Sequence, residues 1–324
     1  MKGRISILFV FAALAVGCGQ GKKAEQFKAL PFPDTVPPGM MTESRDIAEY
    51  MAVNYWNGLT DPSRAYPSDS LLVSGVLKSD VEQKFADWTM FLDMVPLSVA
   101  DKAVGKLYDR AVACERQDTS SEVFETFIAL AGKYLYDPNS PLRNEDHYNS
   151  FARRLSSCDL VEPSLRGKYR YEAEMTSLNR MGTVAADFRF SDKNGRTHTL
   201  HGIEAPMTLL FFSNPGCTAC LDIINTLKSM PLVAQGIASG RLAVLNIYID
   251  EDLKAWREYM PIYPKEWING YDPNYVIRTD VLYNVRAIPS LYLLDKDKRV
   301  IMKDTPEPRL FEWLDKNVVQ NEVQ

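Results

Sequence analysis

Histidine, cysteine and clustered positive charge are scarce in this sequence. Its 324 residues include 3 histidines and 5 cysteines, and the formal net charge is −5 at pH 7. No cluster of basic residues stands out, so we expect no nucleic-acid partner. Cys217 and Cys220 form a Cys-x-x-C, but no second pair and no nearby histidine follows it. This scarcity of ligands disfavours a zinc site.

A short apolar run stands at the start of the chain. Two basic residues precede the apolar stretch 5–16, which is shorter than the roughly 20 residues that a membrane-spanning helix needs. Positive charge followed by such a stretch is typical of a signal peptide. The end of the segment, residues 14–18, resembles a bacterial lipobox, although Ala15 stands where leucine is usual. The resemblance implies a signal peptide over 1–18 with an acylated Cys18, and an ordinary cleaved signal is the alternative.

Residues 19–40 are rich in Gly, Lys, Gln and Pro. Such a composition does not bury a core, and its prolines favour extended backbone. We therefore predict a flexible tether over 19–40 that separates the lipid from the first folded domain.

The apolar residues of the next region, 41–179, recur at helical spacing, as in Ile47, Met51 and Tyr55. This periodicity predicts a helical domain of five or six helices. Sequences of the capping-box type at 79–82 and 119–122 predict the starts of two of these helices.

Several short elements of the helical region, Tyr55-Trp56, 134–141 and Arg143–Glu145, resemble the uncharacterised helical domain that precedes thioredoxin-like modules in lipoproteins of the Bacteroides type. This resemblance implies no chemistry for the region. Its aromatic residues are expected to form a core, with a partner-binding groove as the alternative. Cys114 and Cys158 also lie here, and the sequence leaves open whether they form a disulfide or remain two buried thiols.

The strongest chemical signal is the stretch from Phe211 to Cys220. The unbroken apolar run 207–213 predicts a buried central strand, and the chain then passes through a turn into the Cys-x-x-C. After the pair, an apolar stripe at helical spacing predicts a helix: Cys220, Ile223, Ile224, Leu227 and Pro231. If this helix begins at the first cysteine, the two sulfurs lie one turn apart and can form a disulfide. The positive end of the helix dipole favours the thiolate of Cys217. We therefore predict Cys217 as the attacking sulfur and Cys220 as the resolving one.

Strand, turn, Cys-x-x-C and helix in this order resemble the thioredoxin superfamily. A second match is Arg286–Ser290 ahead of an apolar strand, which resembles the family's cis-proline loop. The resemblance implies a cis Pro289 and a backbone at Ile288 that pairs with an extended substrate chain; an isolated Ile-Pro would be expected to be trans. It also implies a fold for 180–324, the α/β thioredoxin-like fold with a mixed central sheet and flanking helices. The predicted hairpin within 182–200 is similar to the TlpA and ResA-like branch.

Three positions depart from the family pattern. Phe211 stands where thioredoxin keeps a buried aspartate that accepts the proton of the resolving thiol, so water or another group must serve instead. Ile223 stands where ResA-like proteins carry a glutamate, and the neighbouring Asp222 is interpreted either as its substitute or as an ordinary exposed acid. The dipeptide Thr218-Ala219 matches neither thioredoxin nor DsbA. The direction of electron flow therefore stays open.

The resemblance implies a thiol-disulfide oxidoreductase that exchanges disulfides with protein substrates and needs no metal or organic cofactor. We expect it to act as a reductant that a membrane electron carrier of the DsbD or CcdA kind re-reduces. It is expected in the bacterial cell envelope, lipid-anchored to the inner or outer membrane through Cys18, with its thioredoxin-like domain in the periplasm.

Three other interpretations of the cysteine pair remain. A non-catalytic binding lipoprotein would use the disulfide only to stabilise its fold. Pro215–Thr218 also resembles the active-site loop of some peroxiredoxins, but Leu210 and Asn214 stand where that family has proline and threonine. Finally, the pair could be a merely structural disulfide.

Overall fold

The computed structural model of the protein describes residues 28–318. Cys18, the predicted signal peptide and the first part of the predicted tether lie outside the described residues. None of the helices between 28 and 318 is both long enough and apolar enough to span a membrane.

The first part of the chain is mainly helical, and its helices surround an aromatic core. Between residues 28 and 179 it contains six α-helices: α1 (Ser44–Asn54), α2 (Lys78–Asp93), α3 (Leu97–Gln117), α4 (Val123–Leu130), α5 (Glu145–Leu155) and α6 (Pro163–Thr176). A π-helical segment, Ala131–Tyr136, continues α4. Trp56 and Phe127 meet edge to face with ring centroids 4.6 Å apart, and Phe85 and Trp88 are fully buried beside them. The predicted role of these aromatics in a core agrees with this packing.

A small hairpin interrupts the helical region, which the sequence predicted to be all-α. Its strands are β1 (Leu72–Val73) and β2 (Val76–Leu77), and Ser74 and Gly75 turn between them with φ of 47° and 80°. The pairing extends to the backbone of the next residue, because Lys78 N donates to the carbonyl of Leu71 at 3.0 Å. α2 therefore begins at Lys78 rather than behind a cap at Ser79.

The second predicted capping box is also wrong. Asp118 accepts a hydrogen bond from the backbone N–H of Ser120 and caps a 3₁₀ turn over Thr119–Ser121. Glu122 then takes a left-handed conformation, and α4 begins only at Val123.

The predicted tether over 19–40 is too long, because part of it packs on the helical region. Leu30 N donates to the carbonyl of Gly75 at 2.8 Å. The ring of Phe32 lies 5.6 Å from that of Trp56, and the Thr35 hydroxyl donates to the carbonyl of Tyr55 at 3.0 Å. Residues 30–35 therefore pack against the helical region, and the contact of an aromatic ring with the core favours this arrangement.

The second part of the chain is a seven-stranded mixed sheet covered by helices, which confirms the predicted fold. Its strands run in the order β4-β3-β7-β6-β5-β8-β9. They are β3 (Arg189–Asp192), β4 (Thr197–Thr199), β5 (Met207–Phe212), β6 (Leu242–Tyr248), β7 (Ile268–Tyr271), β8 (Ser290–Asp295) and β9 (Val300–Met302). The helices are α7 (Thr218–Ser229), α8 (Pro231–Ala238), α9 (Leu253–Tyr259), α10 (Val276–Thr279) and α11 (Glu307–Asn317).

The central strand β5 is buried along its whole length, which explains why its residues other than Thr208 are apolar. It pairs in parallel with β6 and antiparallel with β8. Leu209 and Phe211 pack into the core on one face, whereas Leu210 and Phe212 pack into the core on the other. A strand buried on both faces loses the polar alternation of a half-exposed strand. One helical prediction changes: Pro231, expected in the stripe of α7, instead opens α8, because proline suits the first turn of a helix.

Candidate active site

Cys217 and Cys220 meet where α7 begins. Cys217 is the N-cap residue of α7, and its sulfur accepts a hydrogen bond from the backbone N–H of Cys220 at 3.1 Å. The two residues form a disulfide with Cα atoms 5.2 Å apart. Gly216 precedes them with φ of 74°, a conformation that glycine adopts without steric cost. The turn and the helix start thus bring the two sulfurs together.

The two sulfurs differ in exposure. Cys217 is half-buried, whereas Cys220 is 2% exposed and packs in the core with Ile223, Ile224 and Leu227. Cys217 is therefore the more accessible of the two sulfurs.

The proline loop lies at the same edge of the sheet as the cysteines. The peptide bond between Ile288 and Pro289 is cis. β8 begins directly afterwards at Ser290, which pairs with Phe212 at the end of β5. Cys217 and Ile288 both pack against the core cluster that contains Phe211. The register of two neighbouring strands therefore unites motifs that are far apart in sequence.

The groups beneath the disulfide are neutral. Phe211 is fully buried, with its ring 6.4 Å from that of Trp267 in an edge contact. Beyond it, the hydroxyl of Ser213 donates to the side chain of Asn246. Burial raises the pKa of the Tyr263 hydroxyl, which lies beside Ser213 and Asn246. The hydrogen-bonding side chains near the end of β5, those of Ser213, Asn246 and Tyr263, are therefore neutral, and none is a carboxylate. Asp222 is exposed and Ile223 is buried.

The turn before Cys217 has a polar anchor that sequence reasoning missed. The amide of Asn214 donates to the Asp250 carboxylate, which is also paired with Arg278. Asp250 follows β6, the parallel neighbour of β5, so the carboxyl ends of both strands bring the two residues together. Their positions directly after two apolar runs were the available signal.

The buried carboxylate of Asp304 contacts the end of the proline loop. Ser290 donates to Asp304 Oδ1 at 2.7 Å. Burial raises the pKa of Asp304 to about 6, and the negative charge of Glu145 adds to this shift. Arg143 and Arg286 act in the opposite direction. In the sequence, Arg143, Glu145 and Arg286 stand out only as parts of segments that resemble known families. Nothing there indicates that these charges meet Asp304, because the segments that carry them are far apart in the chain.

The other two cysteines of the described region are free thiols. Cys114 lies in α3 and is half-buried, and burial raises the pKa of its thiol. Cys158 follows α5 and is 7% exposed. Of the two alternatives that the sequence left open, the structure shows two separate thiols.

Comparisons with known proteins agree with this geometry. Residues 18–179 match the family described as Domain of unknown function (DUF5106), which is half of the chain. A solved structure of a thioredoxin-like protein from Bacteroides caccae ATCC 43185 is 34% identical and covers 90% of this chain and 100% of its own, with a TM-score of 0.73.

Two further structures match one part of the chain. The C-terminal domain of an uncharacterized protein from Bacteroides fragilis NCTC 9343 is 44% identical and covers 42% of this chain and 97% of its own, with a TM-score of 0.41. A conserved protein of unknown function from Bacteroides fragilis is 36% identical and covers 42% of this chain and 98% of its own, also with a TM-score of 0.41. No curated protein matches the chain.

The structure has a cysteine pair at the start of the helix that follows a central strand, and a cis-proline loop at the same edge of the sheet. This fold and this site correspond to the thioredoxin-like thiol-disulfide oxidoreductases. The chain belongs to the thioredoxin-like proteins that carry a DUF5106 region ahead of the redox fold. The family resemblance predicted from the sequence is confirmed.

Proposed function

We propose that the protein is a lipid-anchored thiol-disulfide oxidoreductase of the periplasm that reduces protein disulfides through Cys217 and Cys220. The observation that carries this proposal is the asymmetry of the pair. One sulfur is accessible and caps the helix, whereas the other is buried one turn behind it. A disulfide that only stabilises the fold does not require one exposed and one buried sulfur. A two-step exchange does, because an accessible sulfur attacks the substrate and an inner sulfur then resolves the mixed disulfide.

The exchange begins with the reduced protein. The Cys217 thiolate attacks one sulfur of the substrate disulfide, which forms a mixed disulfide and releases the other substrate sulfur as a thiolate that takes a proton. Cys220 then loses its proton and attacks the Cys217 sulfur. The second substrate thiolate leaves, the Cys217–Cys220 bond closes, and two electrons have passed to the substrate.

The proton of Cys220 has no carboxylate acceptor on the central strand, because Phe211 fills that position. Water or the departing substrate thiolate takes it in this proposal. Ile288 is half-buried and packs against the same core cluster as Cys217, and in this proposal its backbone pairs with an extended substrate chain. Pro289 has no N–H, so the pairing with the substrate ends there.

In the cell, the oxidised protein would need a source of electrons. A membrane carrier of the DsbD or CcdA kind would supply them, and acylation of Cys18 would hold the protein at the inner or outer membrane. We propose a signal peptide over 1–18, a tether that ends before residue 30, a helical domain to 179 and a redox domain over 180–324.

The reduction potential of the cysteine pair tests the proposal. A soluble form beginning at Gly21, with Cys114 and Cys158 changed to serine, is equilibrated in glutathione buffers and its thiols are counted. A potential near or below about −250 mV supports a reductant, whereas one near about −120 mV would make the protein a donor of disulfides. If Cys217 does not exchange with glutathione, the enzyme proposal is wrong and a binding protein remains.

A further inference from the structure

Five charged residues are buried together between the helical region and the redox domain. Arg143 and Glu145 belong to the helical region, and Arg286, Lys303 and Asp304 to the redox domain. Their side chains are between 1% and 13% exposed. Burying so many charges is costly unless each is closely paired. Each of these side chains is therefore expected to have close partners, and those partners identify the segment that the cluster holds in place.

Glu145 bonds to the loop that carries the cis-proline. Its Oε1 accepts from Arg286 Nε at 2.8 Å and from Asn284 Nδ2 at 2.7 Å. Its Oε2 lies 3.1 Å from Lys303 Nζ. Asn284 and Arg286 are five and three residues before Pro289, and residues 284–288 lie outside every helix and strand. One carboxylate of the helical region thus accepts from two side chains of an irregular segment.

Further contacts hold Arg286 and the far end of the loop. The guanidinium of Arg286 lies 4.1 Å from the ring centroid of Tyr136 and donates to that residue's carbonyl. After the proline, Ser290 bonds to Asp304, whose backbone carbonyl accepts from Arg143 Nε at 3.0 Å. The loop is therefore held both before and after Pro289, and the helical region contributes to both contacts.

We propose that Glu145 is a positioning residue of the redox site, and that the helical region holds the proline loop so that the Ile288 backbone is ready to pair with a protein substrate. This inference rests on the proposed function for its catalytic consequence. It gives the DUF5106 region a role in substrate docking, at a site whose cysteines lie in another domain.

The test compares Glu145→Gln with Asp146→Asn. The two residues are neighbours on α5, each is 1% exposed in its side chain, and each variant removes one negative charge. Asp146 bonds instead to Arg180 and to the backbone of Met181 at 2.9 Å, which lie at the start of the redox domain. Asp146→Asn thus loses one ion pair, to Arg180, and Glu145→Gln loses two, to Arg286 and Lys303. Only Glu145→Gln loses a pair to the proline loop.

Two measurements separate positioning from general stability. The first is the hydrogen exchange of the hydrogen-bonded backbone amides on either side of the loop, in 281–282 and 290–292. The second is the kinetics of reduction of insulin, a protein disulfide, and of hydroxyethyl disulfide, which is too small to pair with the Ile288 backbone. For Glu145→Gln we expect amide exchange about tenfold faster and kcat/KM for insulin about tenfold lower, mainly through KM. The rate at which Glu145→Gln reduces the small disulfide should change less than about twofold. The amide exchange of Asp146→Asn and its kinetics with insulin should also change less than about twofold.

Equal effects in the two variants, or unchanged exchange in Glu145→Gln, would overturn the inference. If the unmodified protein reduces neither disulfide, the proposed function fails, and the contrast in amide exchange still decides whether Glu145 holds the loop. Circular dichroism checks folding. If Glu145→Gln is unfolded, Arg286→Lys takes its place in the test, because lysine keeps the positive charge but lacks the planar guanidinium and its stacking on Tyr136. The same loss of activity is then expected for insulin and not for the small disulfide. If insulin reduction is unchanged, the inference is wrong.

Discussion

The two sides of the redox site are held in place by different kinds of contact. The cysteine side, residues 214–220, takes its shape mainly from near neighbours, since Cys217 caps its own helix and bonds to a residue three positions later. The proline side, residues 284–290, bonds to Glu145, which stands 139 and 141 positions before its two partners. The reacting groups are thus organised locally, whereas the proposed docking surface depends on a separate domain.

The largest expected effect concerns the cysteine side. Cys217→Ser should lower the rate of insulin reduction by at least about a thousandfold, because no other accessible sulfur stands at the start of α7. Cys220→Ser should also stop turnover but should accumulate a mixed disulfide between Cys217 and the substrate, visible by non-reducing electrophoresis. If Cys217→Ser traps the adduct instead, the assigned roles of the two sulfurs are reversed.

The next prediction concerns pH and the proline side. The folded protein raises the pKa of Asp304 from 3.8 to about 6, so it holds this proton more tightly than the unfolded chain does. The stability from this group is complete below about pH 4 and is lost as the pH rises through about 6. Relative to Asp304→Asn, the natural protein should lose about 2 kcal/mol of unfolding free energy between pH 4 and pH 7.5 in urea titrations.

A control variant gives the opposite sign. The pKa of Asp297 is lowered by the neighbouring Lys296, and its carboxylate is exposed. The natural protein should therefore gain slightly in stability relative to Asp297→Asn as the pH rises. Parallel pH profiles for the natural protein and Asp304→Asn would show that Asp304 is not the group that titrates in this range.

A smaller effect is expected from the anchor of the cysteine side. Asn214→Ala removes the hydrogen bond to the charged Asp250 and should cost about 1 to 3 kcal/mol in urea unfolding. Because the cap of Cys217 is local, the reduction of hydroxyethyl disulfide should change less than about threefold. Asn317→Ala, which removes a bond within α11, is the control. A large loss of small-disulfide activity in Asn214→Ala would show that the cysteine side also depends on distant contacts.

The smallest effect concerns the two thiols of the helical region. Changing Cys114 and Cys158 to serine should leave the reduction potential of the Cys217–Cys220 pair within about 10 mV, since neither thiol is bonded to it. The double variant should lose about 1 to 2 kcal/mol of stability, because each serine places a hydroxyl in a site that suits a sulfur. A shift in potential would mean that these thiols exchange with the redox pair.

Elements with strong local patterns could be predicted from the sequence, and those that depend on neighbours could not. β5 and α7 followed from an apolar run and a helical stripe. β7 contains Asn269 and Gly270, a pair that favours turns, but it lies between β6 and β3. A Cβ at Gly270 would stand 2.5 Å from the ring of Phe190, so the strand requires glycine for a reason visible only in three dimensions. The hairpin Leu72–Leu77 was missed because each of its strands has only two residues.

The sequence by itself determined the order of the motifs and the place where the two cysteines meet. Cys-x-x-C spacing, a preceding apolar strand and a following helical stripe are relations between residues close together in the chain, where bond geometry leaves few alternatives. Only the tertiary structure decided that Cys114 and Cys158 are separate thiols and that Glu145 bonds to Asn284 and Arg286. The first of these relations depends on how the helices of one domain pack, and the second on how two domains meet. The energy of a buried charge depends on partners that are distant in the chain.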